Sequence, residues 1–233
     1  YQMFRNVYWH HTVRAATAAF RRLVESAVRA GLLGREELPG RTDEELMGLL
    51  SHRAEGVRRP EAREPDGEPH REAADGTADS DAMTRVRLLH DALRDRRLPK
   101  RAAELFGDEM PDGMGRWMQT SPDLVRRLED RLAREWGLPG GSVLLDYPAY
   151  PRMLELDLPL VRRGGTVQRL TSAGEEGLID LPRLSRSLHH SARVFRIYTL
   201  PRQGRKDPGP VLELLEAPAR QVRERLEEDA PLY

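Results

Sequence analysis

The sequence contains no cysteine. Disulfide bonds and metal sites with thiolate ligands are therefore excluded from this chain. Lysine is also scarce, because Lys100 and Lys206 are the only lysines among the 38 residues that are Lys or Arg. We attribute this skew to GC-rich codon usage rather than to function.

Long hydrophobic runs are absent as well. No stretch approaches the ~18 apolar residues that a membrane-spanning helix needs, and the N-terminus lacks the pattern of a signal peptide. The 38 basic residues are balanced by 38 acidic ones, so bulk charge gives no support for binding to nucleic acid or to anionic membranes. We therefore expect a cytoplasmic protein. Because Tyr1 falls inside a predicted helix, we also expect the sequence to be part of a longer protein.

Apolar residues recur at helical spacing through much of the chain. Gly31 and Gly137 are predicted helix ends, and Thr42 with Glu45 has the form of a capping box. Ser121-Pro122 predicts a helix start, with serine as the cap and proline at the first helical position. The predicted helices cover 1–30, 42–51, 83–98, a further turn or two over 102–106, 121–136, 181–191, and 211–228 with an interruption at Pro218.

Beyond Gly141 the hydrophobic period drops toward two, which is typical of strands. Gly164-Gly165 has the form of a two-residue hairpin turn between two of them. Together the segments predict an α+β fold, with a mainly helical N-terminal part followed by a small, mostly antiparallel sheet with helices. The predicted strands cover 142–147, 153–163, 166–171 and 194–200.

Residues 53–81 differ in composition from the rest of the chain. They are rich in proline, glycine and charge, and Val57 is the only aliphatic side chain larger than alanine among them. Such a stretch buries too little apolar surface to offset its ordering entropy, so we predict a disordered linker. The chain is thereby divided into helices over 1–52, the linker over 53–81, and an α+β region over 82–233.

The first predicted helix carries one group of residues that could bind a ligand. His10 and His11 are adjacent on a helix and point about 100° apart, so they are not expected to grip one metal ion together. With Arg5 and Arg14 on the same helix, they offer donors suited to phosphate. The alternative is an ordinary basic helix surface.

The segment from Asp95 to Arg101 is the densest basic run. It suits phosphate or the acidic face of a partner, and the alternative is a solvated helix end. Aromatic residues near it are sparse, so nucleic-acid binding is a minor hypothesis.

The dyad His90-Asp91 matches the pair for which the HD superfamily of metal-dependent phosphohydrolases is named. The glycine that normally follows that dyad is missing, and no second ligand cluster precedes it in this sequence. We therefore interpret His90-Asp91 as a pair that does not bind metal.

Residues 1–16, with Met3-Phe4, Val7-Tyr8, His10 and Thr12, resemble a helix of HD-superfamily phosphohydrolases. The branch resembled is that of the deoxynucleoside triphosphate triphosphohydrolases. Residues 93–101, 143–158, the Gly164-Gly165 hairpin and 194–198 are similar to later segments of that branch. The resemblance implies the C-terminal portion of such an enzyme, with 1–52 completing an all-α catalytic domain.

The resemblance also implies roles for individual residues. Tyr8 would line the substrate pocket beside the deoxyribose, and His10 would lie where that helix meets the nucleotide phosphates or a regulatory site. Arg5 and His10 would contribute positive charge. His11 stands where some relatives carry lysine, a departure that bears on any regulatory nucleotide site. The metal-ligating histidines and aspartates of the family belong upstream, so no catalytic residue and no metal ligand is predicted in this chain.

The function implied is nucleotide-pocket lining and oligomer assembly within a phosphohydrolase of deoxynucleoside triphosphates. The implied partners are a nucleotide substrate and further copies of the same chain, and a divalent metal is implied for the full-length parent only. Two alternatives stay open. One is a non-catalytic nucleotide-sensing or assembly module, and the other is a nucleic-acid adaptor that uses 95–101.

The purified 233-residue chain is therefore expected to release neither phosphate nor triphosphate from deoxynucleoside triphosphates in the presence of Mn²⁺, because the implied metal ligands are not part of it. Product analysis by anion-exchange chromatography measures this directly. Turnover that persists in a metal-dependent way after repurification would contradict the assignment of the metal site to upstream residues.

Overall fold

A computed structural model describes residues 10–58, 76–107, 110, 114–147, 157–171, 180–228 and 231–232. Within these ranges the chain forms eight α-helices and five strands, which confirms the predicted α+β class. The helices are α1 (His11–Arg29), α2 (Asp43–Arg58), α3 (Gly76–Arg94), α4 (Arg116–Thr120), α5 (Pro122–Glu135), α6 (Leu181–Ala192), α7 (Gly209–Glu216) and α8 (Ala219–Glu227). The strands are β1 (Lys100–Phe106), β2 (Val143–Asp146), β3 (Asp157–Val161), β4 (Val167–Thr171) and β5 (Val194–Thr199).

The central sheet has the strand order β1-β5-β2, and both pairings are antiparallel. All six residues of β5 and all four of β2 are buried. A strand that is covered on both faces needs apolar side chains on both, which explains the nearly continuous apolar runs of these two segments.

Two hydrophobic clusters cover the two faces of this sheet. On one face α1, α2 and α3 pack with Leu144 and Tyr198. On the other face α4, α5, α7 and α8 pack with residues that include Leu145 and Ile197. The sheet is therefore the middle layer of three, and α1 packs directly on strands of the 82–233 region. The predicted division at 52 and 82 does not coincide with a break in this packing.

Strands β3 and β4 form a separate hairpin at the predicted position, with Val161 paired to Val167. The connection is longer than the predicted two-residue turn. Arg162 N–H donates to Thr166 O at 2.9 Å, and Gly165 N–H donates to Arg162 O at 2.8 Å. Gly165 has a φ of +79°, a left-handed conformation that glycine adopts without steric cost.

Residues 102–106 contradict the prediction of a further helical turn, because they belong to β1. Ala102, Ala103 and Leu105 are buried, and Glu104 pairs with Arg196 of β5. A short segment of this composition has no decisive period of its own, so its pairing with a distant strand determines its conformation.

Local signals at the helix ends are largely confirmed. Thr42 N–H donates to Glu45 Oε2 at 2.7 Å, and Glu45 N–H donates to Thr42 Oγ1 at 3.2 Å, as a capping box requires. Gly31 and Gly137 follow α1 and α5 with φ of +65° and +64°. Ser121 precedes α5 as predicted, but its side chain makes no capping hydrogen bond.

The predicted linker over 53–81 is helical at both of its ends, since α2 includes 53–58 and α3 includes 76–81. Ala54 is buried and Arg53 is paired with Glu37, so tertiary contacts extend α2 beyond the predicted end at Ser51. Residues 59–75 lie outside the described part of the chain. None of the helices described is long and apolar enough to cross a membrane.

A buried ion pair joins three elements of the fold. Arg22 of α1 places Nη2 at 2.7 Å from Oε2 of Glu129 in α5, and both side chains are nearly inaccessible to solvent. The other carboxylate oxygen of Glu129 accepts the backbone N–H of Leu145 in β2 at 2.9 Å. A single carboxylate therefore satisfies both a buried cation and a buried strand donor.

We expect Glu129→Ala to lower the free energy of unfolding by about 3–5 kcal/mol, because it leaves a buried guanidinium and a backbone N–H without this partner. Urea denaturation followed by circular dichroism measures the loss. The double variant Arg22→Met with Glu129→Leu should recover the part of the loss that comes from the unpaired charge, while the Leu145 N–H stays without this acceptor. Glu227→Ala is the control, because the Glu227 pair with Arg127 is solvent-exposed. Equal effects of Glu129→Ala and Glu227→Ala would contradict the role given to the buried pair.

Candidate functional site

A row of charged side chains crosses the face of the sheet that α1 covers. Glu104 of β1, Arg196 of β5 and Asp146 of β2 occupy one register position on the three strands. Arg196 is only 6% exposed, and its Nε lies 3.6 Å from Glu104 Oε2. Its Nε and Nη1 have no hydrogen-bond partner within the described residues. We call Glu104, Arg196 and Asp146 the charged row.

The start of α1 is fixed over this row by two contacts. Arg14 donates from Nε to Asp146 Oδ2 at 2.9 Å, and its Nη2 contacts the other carboxylate oxygen. Tyr198 donates its hydroxyl to the backbone O of His11 at 2.9 Å. Burial raises the pKa of Tyr198, so this hydroxyl keeps its proton and stays a donor. Burial by itself would lower the pKa of Arg14, but Asp146 raises it, so the guanidinium stays charged.

His10 and His11 lie at the N-terminus of α1. His10 is exposed and caps the helix, with Nδ1 accepting the Thr12 N–H at 3.4 Å. The two imidazole rings are stacked obliquely, with centroids 4.2 Å apart. Burial lowers the pKa of His11, and the charges of His10, Arg101 and Arg196 lower it further. We call His10, His11, Arg101 and Arg196 the cationic corner.

The structure places the predicted site residues as follows. His10 lies in the cationic corner, whereas Arg5 and Tyr8 are outside the described residues. The sequence predicts that Arg14 offers donors to phosphate. In the structure its Nε and Nη2 both donate to the carboxylate of Asp146. Arg14 is therefore an anchor for α1 and is not part of the cationic corner.

The arginines in and beside the basic run from Asp95 to Arg101 contact two different carboxylates. Arg94 Nε and Arg97 Nη2 each donate to Asp95 at 3.1 Å. These hydrogen bonds lower the pKa of Asp95 and offset part of the positive charge of the run. Arg101 instead contacts Glu104 and belongs to the cationic corner.

A cleft of about 410 Å³ opens along the outer edge of β1. It is lined by 101–104 on one side and by 202–205 on the other, so Arg202 and Arg205 face the same space as Arg101. Lys206 N–H donates to Ala102 O at 2.9 Å and holds the second wall against the strand. The cleft extends the positive surface of the corner along the edge of the sheet.

His90 has a structural contact. Its Nε2 lies 2.8 Å from Ser51 Oγ, which joins α3 to α2, and its Nδ1 lies 3.5 Å from Asp91 Oδ1. Across the residues that the structure describes, no group of three or more His, Asp or Glu side chains is arranged to hold a metal ion.

Comparison with known proteins gives one family match. Residues 76–176 match the family described as HD associated region. No curated protein and no solved structure matches the chain. The match supports an HD-domain-related protein, in agreement with the coarser part of the sequence resemblance.

Sequence reasoning missed Glu104, Asp146 and Arg196 as a group. Their assembly depends on the register of three strands, one of which had been predicted as helix. A local signal was present, because Arg196 and Asp146 are charged residues inside otherwise apolar strand segments. A charged group at a buried strand position needs a partner, and that requirement points to an ionic cluster.

The cationic corner predicts how His11 titrates. In a proton NMR titration, His11 should show a pKa below that of an unperturbed histidine, because burial disfavours the charged ring and because a protonated imidazole would add to the charges of His10, Arg101 and Arg196. Arg101→Gln removes one of those charges and should raise the pKa of His11. The control Arg97→Gln, in the same basic run but paired with Asp95, should leave it in place. An equal response to both variants would contradict the arrangement.

Proposed function

We propose that this chain supplies an anion-binding wall to an HD-type phosphohydrolase of (deoxy)nucleoside triphosphates. The observation that carries the proposal is the convergence of His10 and His11 from α1 with Arg101 and Arg196 from the sheet. The family match at 76–176 supports the HD-domain context.

The corner has donors left over for a ligand. Glu104 is contacted by both Arg101 and Arg196, and Asp146 is occupied by Arg14. Buried polar groups are normally hydrogen-bonded, so the two nitrogens of Arg196 that have no partner among the described residues are an exception that needs an explanation. An arriving phosphate oxygen would satisfy them, and hydrogen bonds between guanidinium and phosphate are among the strong ones.

His11 makes this binding dependent on pH. In the free protein its lowered pKa favours the neutral ring. A bound triphosphate reverses the local charge and favours the protonated ring, so binding is accompanied by proton uptake. Affinity for triphosphate is therefore expected to increase as the pH falls toward the pKa of His11.

Within the proposed enzyme the work of this chain is binding and orientation. The described residues do not offer a metal-ligand cluster, so no step is assigned to a metal held by this chain. In the family that the sequence resembles, the metal site activates water and is supplied from upstream. Arg101, Arg196 and His10 would hold phosphate oxygens, and Tyr8 and Arg5 are proposed to complete the same pocket.

The assembly part of the proposal is supported by the β3–β4 hairpin. Leu158, Val161 and Val167 are exposed on it, at 48%, 74% and 64% of their full accessible area. A two-stranded hairpin is only marginally stable in water without packing on a third element. We therefore propose that contacts between copies of the chain involve this hairpin.

A non-catalytic nucleotide-sensing module is the second candidate, and the same corner favours it because anion binding does not require a metal. A His…His-Asp…Asp set encoded upstream of Tyr1 distinguishes the enzyme from the sensor. The nucleic-acid alternative has less support, because the contacts of Arg94 and Arg97 with Asp95 offset charge in the run it would use.

Arg101→Gln tests the anion site. Arg101 is partly exposed, so the substitution should not unfold the chain, but it removes a charged donor from the corner. Isothermal titration calorimetry with a deoxynucleoside triphosphate and with inorganic triphosphate should show binding weakened about tenfold. Arg97→Gln is the matched control and should bind like the unmodified chain. Unchanged affinity in Arg101→Gln, or no saturable binding by the unmodified chain, would refute the proposed site.

A further inference from the structure

A second cleft, remote from the cationic corner, lies between the C-terminal half of α1, the turn over 35–38 and the start of α5. Its volume is about 370 Å³, which is within the range of small-molecule sites. We call it the α1–α5 cleft. Arg14 and Arg29 mark the two ends of α1, and fifteen residues of helix separate the two sites by about 22 Å.

The floor of the cleft is apolar. Val24 and Val28 are one turn apart on α1, and Leu38 and Pro122 close the space from the two other elements. Val24, Val28 and Leu38 are each partly buried, so part of each side chain is accessible to a ligand. Transfer of the apolar part of a ligand from water onto such a surface is favourable.

The rim of the cleft is cationic. Four guanidinium groups line it, from Arg22, Arg29, Arg35 and Arg126, whereas Glu25 is the only carboxylate in the lining. Burial lowers the pKa of Arg29, and the charges of Arg126 and Arg22 lower it further, as expected where like charges converge.

The four arginines differ in how closely a carboxylate pairs with them. Arg22 is held by Glu129 and Glu25, and Arg29 contacts Asp123. Arg126 reaches Asp130 only at 3.6 Å, and its buried Nε has no hydrogen-bond partner in the described part of the chain.

Arg35 is exposed on the other side of the cleft, and its side chain has no ion pair with any residue that the structure describes. Arg35 and Arg126 therefore retain donors for an external oxyanion.

The turn that carries Arg35 is held in place. Glu37 accepts the Gly34 N–H at 2.8 Å and hydrogen bonds from Arg53 at 2.7 and 2.8 Å. Arg53 also donates to Leu32 O at 2.6 Å. These contacts lower the pKa of Glu37 to about 2, so the clamp persists at physiological pH. The backbone that carries Arg35 is thus positioned before a ligand arrives, which reduces the ordering cost of binding.

We propose that the α1–α5 cleft binds a small organic oxyanion, with one phosphate or carboxylate group between Arg35 and Arg126 and an apolar body on Val24 and Val28. Charge complementarity selects the head group, and the apolar floor selects the body. The site is separate from the triphosphate site and does not depend on the proposed function.

The probe is 1-naphthyl phosphate, titrated into the 233-residue chain by isothermal titration calorimetry. Inorganic phosphate lacks the body and 1-naphthol lacks the charge, so each should bind at least about tenfold more weakly. Arg35→Gln and Arg126→Gln should each weaken binding of 1-naphthyl phosphate about tenfold. The control Arg223→Gln, at an exposed position of α8, should have no effect.

The binding position of 1-naphthyl phosphate is tested by the changes it causes in amide NMR shifts. These changes should be largest on α1 around Val24 and Val28 and over 35–38. Circular dichroism and thermal unfolding confirm that the variants fold. Arg101→Gln, which weakens the corner, should leave the shift changes around Val24, Val28 and 35–38 in place, which separates this site from the corner. Absence of saturable binding, equal affinity for inorganic phosphate, or equal losses in Arg35→Gln and Arg223→Gln would each overturn the proposal.

Discussion

The position of α1 is the constraint on which both candidate sites depend, and it is set by two ion pairs that are largely buried. Arg22 meets Glu129 of α5, and Arg14 meets Asp146 of β2. Each carboxylate is itself tied to the sheet, because Glu129 accepts the N–H of Leu145 and Asp146 belongs to β2. A buried ion pair contributes little net stability compared with apolar packing, but it imposes one geometry because each charge must be matched. In this fold that geometry fixes the rotation and the axial position of the helix.

Different groups of charged residues surround the two ends of α1. At the N-terminal end, Asp146 takes up Arg14, so the positive charge left beside the sheet belongs to Arg101 and Arg196, which lie near His11. At the C-terminal end, several arginines converge beside an apolar floor while most carboxylates nearby are already paired. A chain with zero net charge can in this way carry two local positive regions. Overall charge therefore gave little guidance about the anions that individual surfaces select.

Features that depend on a few adjacent residues could be predicted from the sequence, and those that depend on distant pairing could not. The capping box at Thr42 and the glycine stop at Gly31 are local, and both were predicted correctly. β1 was predicted as helix because its strand conformation depends on pairing with β5, nearly a hundred residues away. The charged row depends on the same pairing, which is why Arg196 was not anticipated. His10 was named as a site residue through resemblance, whereas nothing in the spacing of the first helix indicated that Arg101 would lie near His11.

The region that matches the family contains only part of the cationic corner. Residues 76–176 include β1 and β2, with Arg101, Glu104 and Asp146, but not β5, which lies between those two strands. Without β5 the two strands have no common neighbour, and the charged row loses Arg196 from its centre. His10 and His11 come from a helix that precedes the matched region. The cationic corner therefore combines the matched region with segments on both sides of it, so conservation of the HD associated region alone does not imply conservation of this site. The residues to compare among related chains are the two that complete the corner from outside, His11 and Arg196.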